Sequence, residues 1–536
     1  MPRALPLSLL LLAAVLPALA AAKEQFPGQG RKWRHLQSPN FELYSGASER
    51  VSRDMLHNLE LLRATFLETF RLQERRPLPV TIFYFDDEDD FMAYRKGGKP
   101  RSFYAARPDR ATIMVSPKEE LLSIQRTIFH EYVHHLMRVT EEAPPTWYNE
   151  GMAELFSTLE EQKDHLLLGR AKPELVARLQ QAKAMPLEEL FAVTNSSAVY
   201  RNGEHNTGIF YAQSWALVHF CNFGISKVPK ERLDTFLRLA RSAKLAAEPE
   251  KLRQLTQELL GMDFPQLNEE LARYMRGGRY NVYRLPKPVI AARESYEARL
   301  MPAEEITLRL AELKARLLGS PDARFVLLEA AERNPRDIRV LETLGLAALS
   351  DGDERTMEER WHQAIEAGTT NPAIYHELGQ REGRRWFARF DPYFRLQDEP
   401  AARLRRLLLA SIAAAPHQTA AYETLAWVEA TANDISIANA NLVQGQLPKL
   451  KERARTLLAL AMIRDRSNDL ATARQMLAAL GESEPDAWTA RGAEVLLAKI
   501  EGRKPAPLAP SGAGQRKGLP VPVPKIRLPA APTPPN

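Results

Sequence analysis

The stretch FHEYVHHLMRV, residues 129–139, sets two histidines four apart with a glutamate directly after the first. Its surroundings make it helical. Upstream, Ser116 offers an N-cap, Pro117 stands at the first helical position and Glu119 follows three residues after the serine, the pattern of a capping box. Leu121, Leu122, Ile124, Ile128, Val133, Leu136 and Met137 then supply a continuous apolar side. On such a helix His130 and His134 project from one face on adjacent turns, so both can reach a single cation. Glu131 is angled away from the pair, close enough to hold a water without being a ligand. His135 points about 100° round the helix from its neighbour and is expected at the surface or in a supporting role.

The residues before this helix alternate between strand and helix patterns. The segment 32–46 suggests two strands about a turn at Ser38-Pro39. Val51, Met55, Leu59, Leu62, Phe66 and Phe70 have helical spacing, and 78–85 and 110–116 are β-rich runs. The acidic run 86–90 suits a helix N-terminus better than a calcium loop, because it lacks spaced oxygen ligands and a glycine.

Helices dominate beyond residue 120. After about residue 319 the chain reads as successive helical pairs punctuated by Pro335, Pro372, Pro416 and Pro485. These helical pairs resemble degenerate tetratricopeptide repeats over 319–502, with Gly345 and Gly379 the plainest survivors of the signature.

Just after the histidine helix comes PPTWYNEGMAELF, residues 144–156. Together with the histidine pair, its Asn149-Glu150-Gly151 resembles the gluzincins, the zinc metallopeptidases that include thermolysin and the zinc aminopeptidases. The resemblance covers roughly residues 30–285, with its specificity concentrated in 116–156. It implies that Glu150 is the third metal ligand, that Glu154 supports the site one turn on, and that one zinc ion per chain is bound. It further implies hydrolysis of peptide bonds, with Glu131 as general base toward an attacking water.

Tyr211, 61 positions after Glu150, resembles the oxyanion-binding tyrosine of the zinc aminopeptidases, although Gln213-Ser214 replaces the Lys-Gly that follows it there. His205 and Tyr200 are alternatives for that role. No glutamate in a G-x-M-E-N context precedes the helix, so recognition of a substrate's amino terminus is not expected. The strand at 110–116 is placed like the edge strand on which gluzincins lay an extended substrate. The pattern resembles, more than it does the aminopeptidases, a group of bacterial proteins of the same clan that join a short peptidase MA-like domain to tetratricopeptide-like repeats.

The expected fold is therefore an α+β gluzincin-like metallopeptidase domain followed by an all-α tetratricopeptide-like domain. The division runs as a signal peptide at 1–22, the peptidase domain at 23–285, a helical linker at 286–318, repeats at 319–502 and a Pro-rich basic tail at 503–536. Residues 1–22 carry one arginine, an apolar run and small residues suited to cleavage, which points to export to a periplasmic or extracellular location. No later run is long and apolar enough to cross a membrane.

The formal charge of +6 resides in the tail, where Arg503, Lys504, Arg516, Lys517, Lys525 and Arg527 face no acid after Glu501. The folded part is near neutral, so a nucleic-acid partner is not expected. Ten of the last 34 residues are proline, the composition of an extended segment. Cys221 is the only cysteine, which excludes an intrachain disulfide, and its apolar context reads as burial. His219, on the same apolar helix, reads as a core histidine. The expected partners are a peptide or protein substrate and a protein recruited by the repeats. The alternative function is a non-catalytic peptidase-like scaffold that works through those repeats.

Overall fold

The computed structural model describes residues 26–505 apart from 76, 96, 98–101, 118–120, 141–143, 202–207, 225–227, 241–247, 388–393, 451–452 and 484. The expected signal peptide at 1–22, His205 and all of the tail after Pro505 lie outside the described residues. So does part of the capping box, between Pro117 and the first described turn of its helix.

Strands β1 (Arg34–Gln37) and β2 (Phe41–Ser45) form a hairpin about Ser38-Pro39. The Glu60 carboxylate fixes this turn by accepting from Ser38 Oγ at 2.7 Å, Asn40 N at 2.8 Å and Asn40 Nδ2 at 2.7 Å. Helix α1 (Glu49–Phe70), capped by Ser48, then crosses over to β3 (Val80–Tyr84), which runs parallel to β2. The acidic run becomes the N-terminus of a short helix α2 (Glu88–Met92), with the Asp87 side chain accepting from Asp90 N. β4 (Phe103–Ala106) and β5 (Ala111–Val115) follow, giving a six-stranded sheet ordered β4-β5-β3-β2-β1-β9, with β9 at Ala298–Leu300, while β6 (Glu160–Glu161), β7 (Leu166–Leu168) and β8 (Tyr283–Leu285) form a three-stranded sheet of their own.

The sheet's two faces can be read from its register. Leu43, Ile82 and Ile113 align across β2, β3 and β5 and pack with α1 and with α3 (Leu121–Thr140). The next residues, Tyr44, Phe83 and Met114, point the other way and pack with Ile306, Leu310, Leu313 and Leu327 of helices 303–318 and 321–333. Period-two alternation with both faces apolar is the pattern of a strand covered on both sides.

This corrects two expectations. The strand at 111–115 is not the sheet edge, because β4 pairs antiparallel along it from Phe103↔Met114 to Ala106↔Ala111. The edge beside α3 is β4. The stretch 286–318 does not act as a linker either. It is helical over Ala303–Leu318, but β9 pairs with β1 and the helix covers the back of the sheet, so helical region and sheet share one core.

A buried ionic network reinforces this junction. Arg110 reaches Glu342 at 2.9 Å, Arg316 reaches Asp109 at 2.8 Å and Glu312 at 3.2 Å, and Arg339 bonds both Glu42 and Glu312. Asn371 donates to the Asp109 carbonyl at 2.9 Å.

From Ala303 to Ile500 the described chain is helical hairpins joined by short turns. Gly345 lies against the Trp361 ring, and a Cβ at Gly379 would meet Leu408 at 3.0 Å, so both glycines mark close helix crossings. A separate apolar core holds residues 396–496. No described helix is long and apolar enough to cross a membrane.

Candidate metal centre

Helix α3 carries His130, Glu131 and His134, and α4 (Thr146–Phe156) packs against it with Glu150 and Glu154. What brings α4 to its depth is the residue after the glutamate. A Cβ built at Gly151 would lie 2.5 Å from the Ser214 carbonyl oxygen and 2.6 Å from Val218 Cγ2, both on α8 (Ile209–Phe223). α8 is an almost wholly buried helix, and glycine is what lets α4 settle onto it.

Three ligand atoms converge. His130 Nε2 and His134 Nε2 are 3.1 Å apart, and Glu150 Oε2 is 3.3 Å from the first and 3.5 Å from the second. Ligands bound about 2.0–2.1 Å from a tetrahedral ion stand about 3.3–3.4 Å from one another, so the triangle has the size of a metal site. Glu150 is 1 % exposed, and its Oε2 has no hydrogen-bond donor. A buried carboxylate oxygen in that position needs either a proton on one of the two imidazoles or a cation between them. His130, His134 and Glu150 together can hold a metal ion.

The charges agree. Burial by itself would lower the basicity of His130, but Glu150 and Glu154 outweigh it and raise the imidazole to a pKa of about 10. Burial likewise opposes ionisation of Glu150, yet the two histidines hold it well below the ordinary carboxylate range. Without a metal, the cluster keeps a proton where a cation would sit, and a cation must displace it.

Glu154 faces His130 Nδ1 at 3.4 Å and is bonded on its other side by the buried Lys172 ammonium. Against the burial that would raise its pKa, Lys172 and His130 keep the Glu154 carboxyl ionised. An imidazole whose far nitrogen meets a carboxylate is fixed in orientation and made a better ligand. Nothing in the sequence pointed to Lys172, which lies just ahead of the helix Pro173–Gln181.

Tyr200 and Tyr211 lie together in the wall, with rings 6.0 Å apart and nearly parallel. Tyr200 is the one that touches the ligand set, donating its hydroxyl to Glu150 Oε1 at 2.9 Å. Burial first, and then the charge of Glu150, raise the pKa of both phenols, so both remain protonated near neutral pH. The charge of Glu131 reaches both tyrosines as well as Tyr104 of β4.

His135 differs from its expectation. It is buried, stacked on Tyr132 at 5.3 Å and bonded through Nδ1 to Tyr104 Oη at 3.0 Å, because β4 covers that side of α3. Burial lowers its pKa to about 3, which keeps it neutral. His219 is a core histidine, its Nε2 2.8 Å from the Gly169 carbonyl. Cys221 is fully buried, with burial pushing its thiol up to about 12.

Compared with known protein families and with curated proteins, the chain matches none of them.

Proposed function

We propose that this protein is an exported zinc metallopeptidase, active in the periplasm or outside the cell, whose tetratricopeptide-like helical repeats recruit a protein partner or substrate. The observation that carries the reading is the triangle of His130 Nε2, His134 Nε2 and the donor-free Glu150 Oε2, with edges of 3.1, 3.3 and 3.5 Å. Two imidazoles and one carboxylate suit zinc and leave one tetrahedral position for substrate or water.

Zinc bound there would polarise a peptide carbonyl and acidify water. The chain's own residues divide the rest of the work. Glu131, on the turn that carries both histidines, takes the proton of the attacking water and delivers it to the leaving nitrogen. Tyr211 and Tyr200, kept protonated, are the phenolic donors of the wall, and Tyr211 is the candidate to meet the developing oxyanion. Glu154, held by Lys172, keeps His130 in place. β4, the strand beside α3, pairs only with β5 among the described residues, so its other edge can accept an extended peptide by main-chain hydrogen bonds. For the repeats, a cavity of about 770 Å³ lined by Arg355, Glu358, Glu382, Arg385, Trp386 and Arg403 is the concave surface on which a partner would dock.

Metal analysis of the purified chain should find about one zinc, lost in His134→Ala. Cleavage of a casein-type substrate should disappear in Glu131→Gln while zinc content stays unchanged. A wild type without metal sinks the metal site, and equal cleavage by wild type and Glu131→Gln sinks the assignment of the base.

A further inference from the structure

The two oxygens of Glu150 have unlike surroundings. Oε2 faces both histidines and has no donor, whereas Oε1 accepts the Tyr200 hydroxyl at 2.9 Å. The Glu150 side chain is buried. Tyr200 is also braced: its ring lies nearly parallel to Tyr211 and meets Phe210 edge-on at 6.1 Å.

A carboxylate can bind a cation through one oxygen or through both. With both engaged, Glu150 would occupy two positions round the ion, and a tetrahedral centre that also held two imidazoles would have none left for substrate. We propose that Tyr200 is a positioning residue that holds Glu150 to a single metal-binding oxygen and so keeps one coordination position open. Its hydroxyl occupies Oε1 and points Oε2 at the two Nε2 atoms. Sequence reading placed Tyr200 among candidates for the oxyanion, and this role is different, since it acts through the ligand. The inference rests on the metal-site reading above.

The experiment uses the full chain as wild type, Tyr200→Phe and Tyr274→Phe. The last variant removes a comparable phenol, one bonded to the core residue His219. Zinc affinity is measured by competition with a chromophoric chelator. Cobalt(II) replaces zinc for visible spectroscopy. Thermal unfolding of each metal-free protein monitors the fold.

Loss of a partner that orients a ligand typically weakens metal binding about 10- to 100-fold. Tyr200→Phe should weaken zinc by that factor, and its cobalt bands should lose intensity as coordination rises from about four to five. Tyr274→Phe should leave both readouts at wild-type values. Wild-type zinc affinity and an unchanged cobalt spectrum in Tyr200→Phe would overturn the proposal.

Should Tyr200→Phe fail to fold, X-ray absorption of wild-type zinc protein decides. One carboxylate oxygen at about 2.0–2.2 Å supports the proposal, and two at similar distance refute it. If wild type takes up no zinc or cobalt, the metal-site reading itself has failed, an outcome distinct from loss of the Tyr200 role alone.

Discussion

Replacing Gly151 by alanine should damage the proposed metal site without changing any of its three candidate ligands. The added Cβ would stand 2.5 Å from the Ser214 carbonyl oxygen and 2.6 Å from Val218 Cγ2. Carbon-to-carbonyl-oxygen contacts settle at about 3.3 Å or more, so α4 must retreat from α8 by roughly 0.8 Å, since a backbone oxygen has no rotamer to turn. Glu150 is the adjacent residue and moves with it. Metal sites tolerate displacements of only about 0.2 Å in ligand distance, so a shift several times larger takes Oε2 out of the triangle.

In stability, overpacking costs about 1–3 kcal/mol while alanine recovers about 1 kcal/mol of helix preference over glycine. The thermal midpoint should therefore fall by no more than a few degrees. Zinc affinity, read by chelator competition, should fall at least about tenfold. The control is Gly277→Ala, also helical, where a Cβ meets nothing within 4 Å; it should be neutral or slightly stabilising. Wild-type zinc affinity in Gly151→Ala would refute the claim that this glycine sets the depth of α4.

Three further outcomes follow from buried charge and burial itself. Lys172→Met leaves Glu154 buried without its cation and should cost about 3–5 kcal/mol in chemical unfolding, part of it recovered in the double variant Lys172→Met/Glu154→Gln. At the junction, burial opposes the charge of Glu312, but Arg339, Arg309 and Arg316 lower its pKa from 4.5 to about 2. A carboxyl depressed in the folded state contributes stability above its unfolded pKa and loses it as pH falls through the folded one. The contribution, about 3 kcal/mol, should thus be present above pH 4.5 and vanish toward pH 2, and Glu312→Gln should flatten that part of the stability profile. Cys221, fully buried with its thiol raised to about 12, should react with a disulfide reagent only as fast as the protein unfolds, and rapid native labelling would contradict its placement.

The sequence carried the parts of the site that repeat at helical spacing. His130, Glu131 and His134 share one amphipathic helix, and the context of Glu150 placed it on the next. Contacts across long separations left no such trace. Lys172 meets Glu154 from the start of a helix 18 residues on, and Tyr200 meets Glu150 from a short helix 50 residues on. In neither case does periodicity or composition link the partners.

The sheet follows the same rule. β2, β3 and β5 were legible because they are unbroken β-rich runs, whereas β4 and β9 have four and three residues and too little pattern to register. Missing β4 led to two errors with one cause. It left β5 at the edge of the sheet, and it left His135 at the surface or in a supporting role, without the strand that covers it. Angular position on α3 was correct for His135, and only the identity of its neighbour was not.

The shared core behind the sheet also bears on how the chain opens. Tyr44, Phe83 and Met114 are sealed by helices 303–318 and 321–333, so backbone amides of the central strands can exchange with solvent only when those helices lift away as well. The hairpins packed in the core of residues 396–496 share no apolar cluster with the sheet among the described residues and should open more readily than the sheet does. Hydrogen exchange should then divide the protein inside its helical region, between the hairpins joined to the sheet and those beyond them. The first helices of the array would behave as part of the half that contains the sheet, and the distal ones as a separately opening arm.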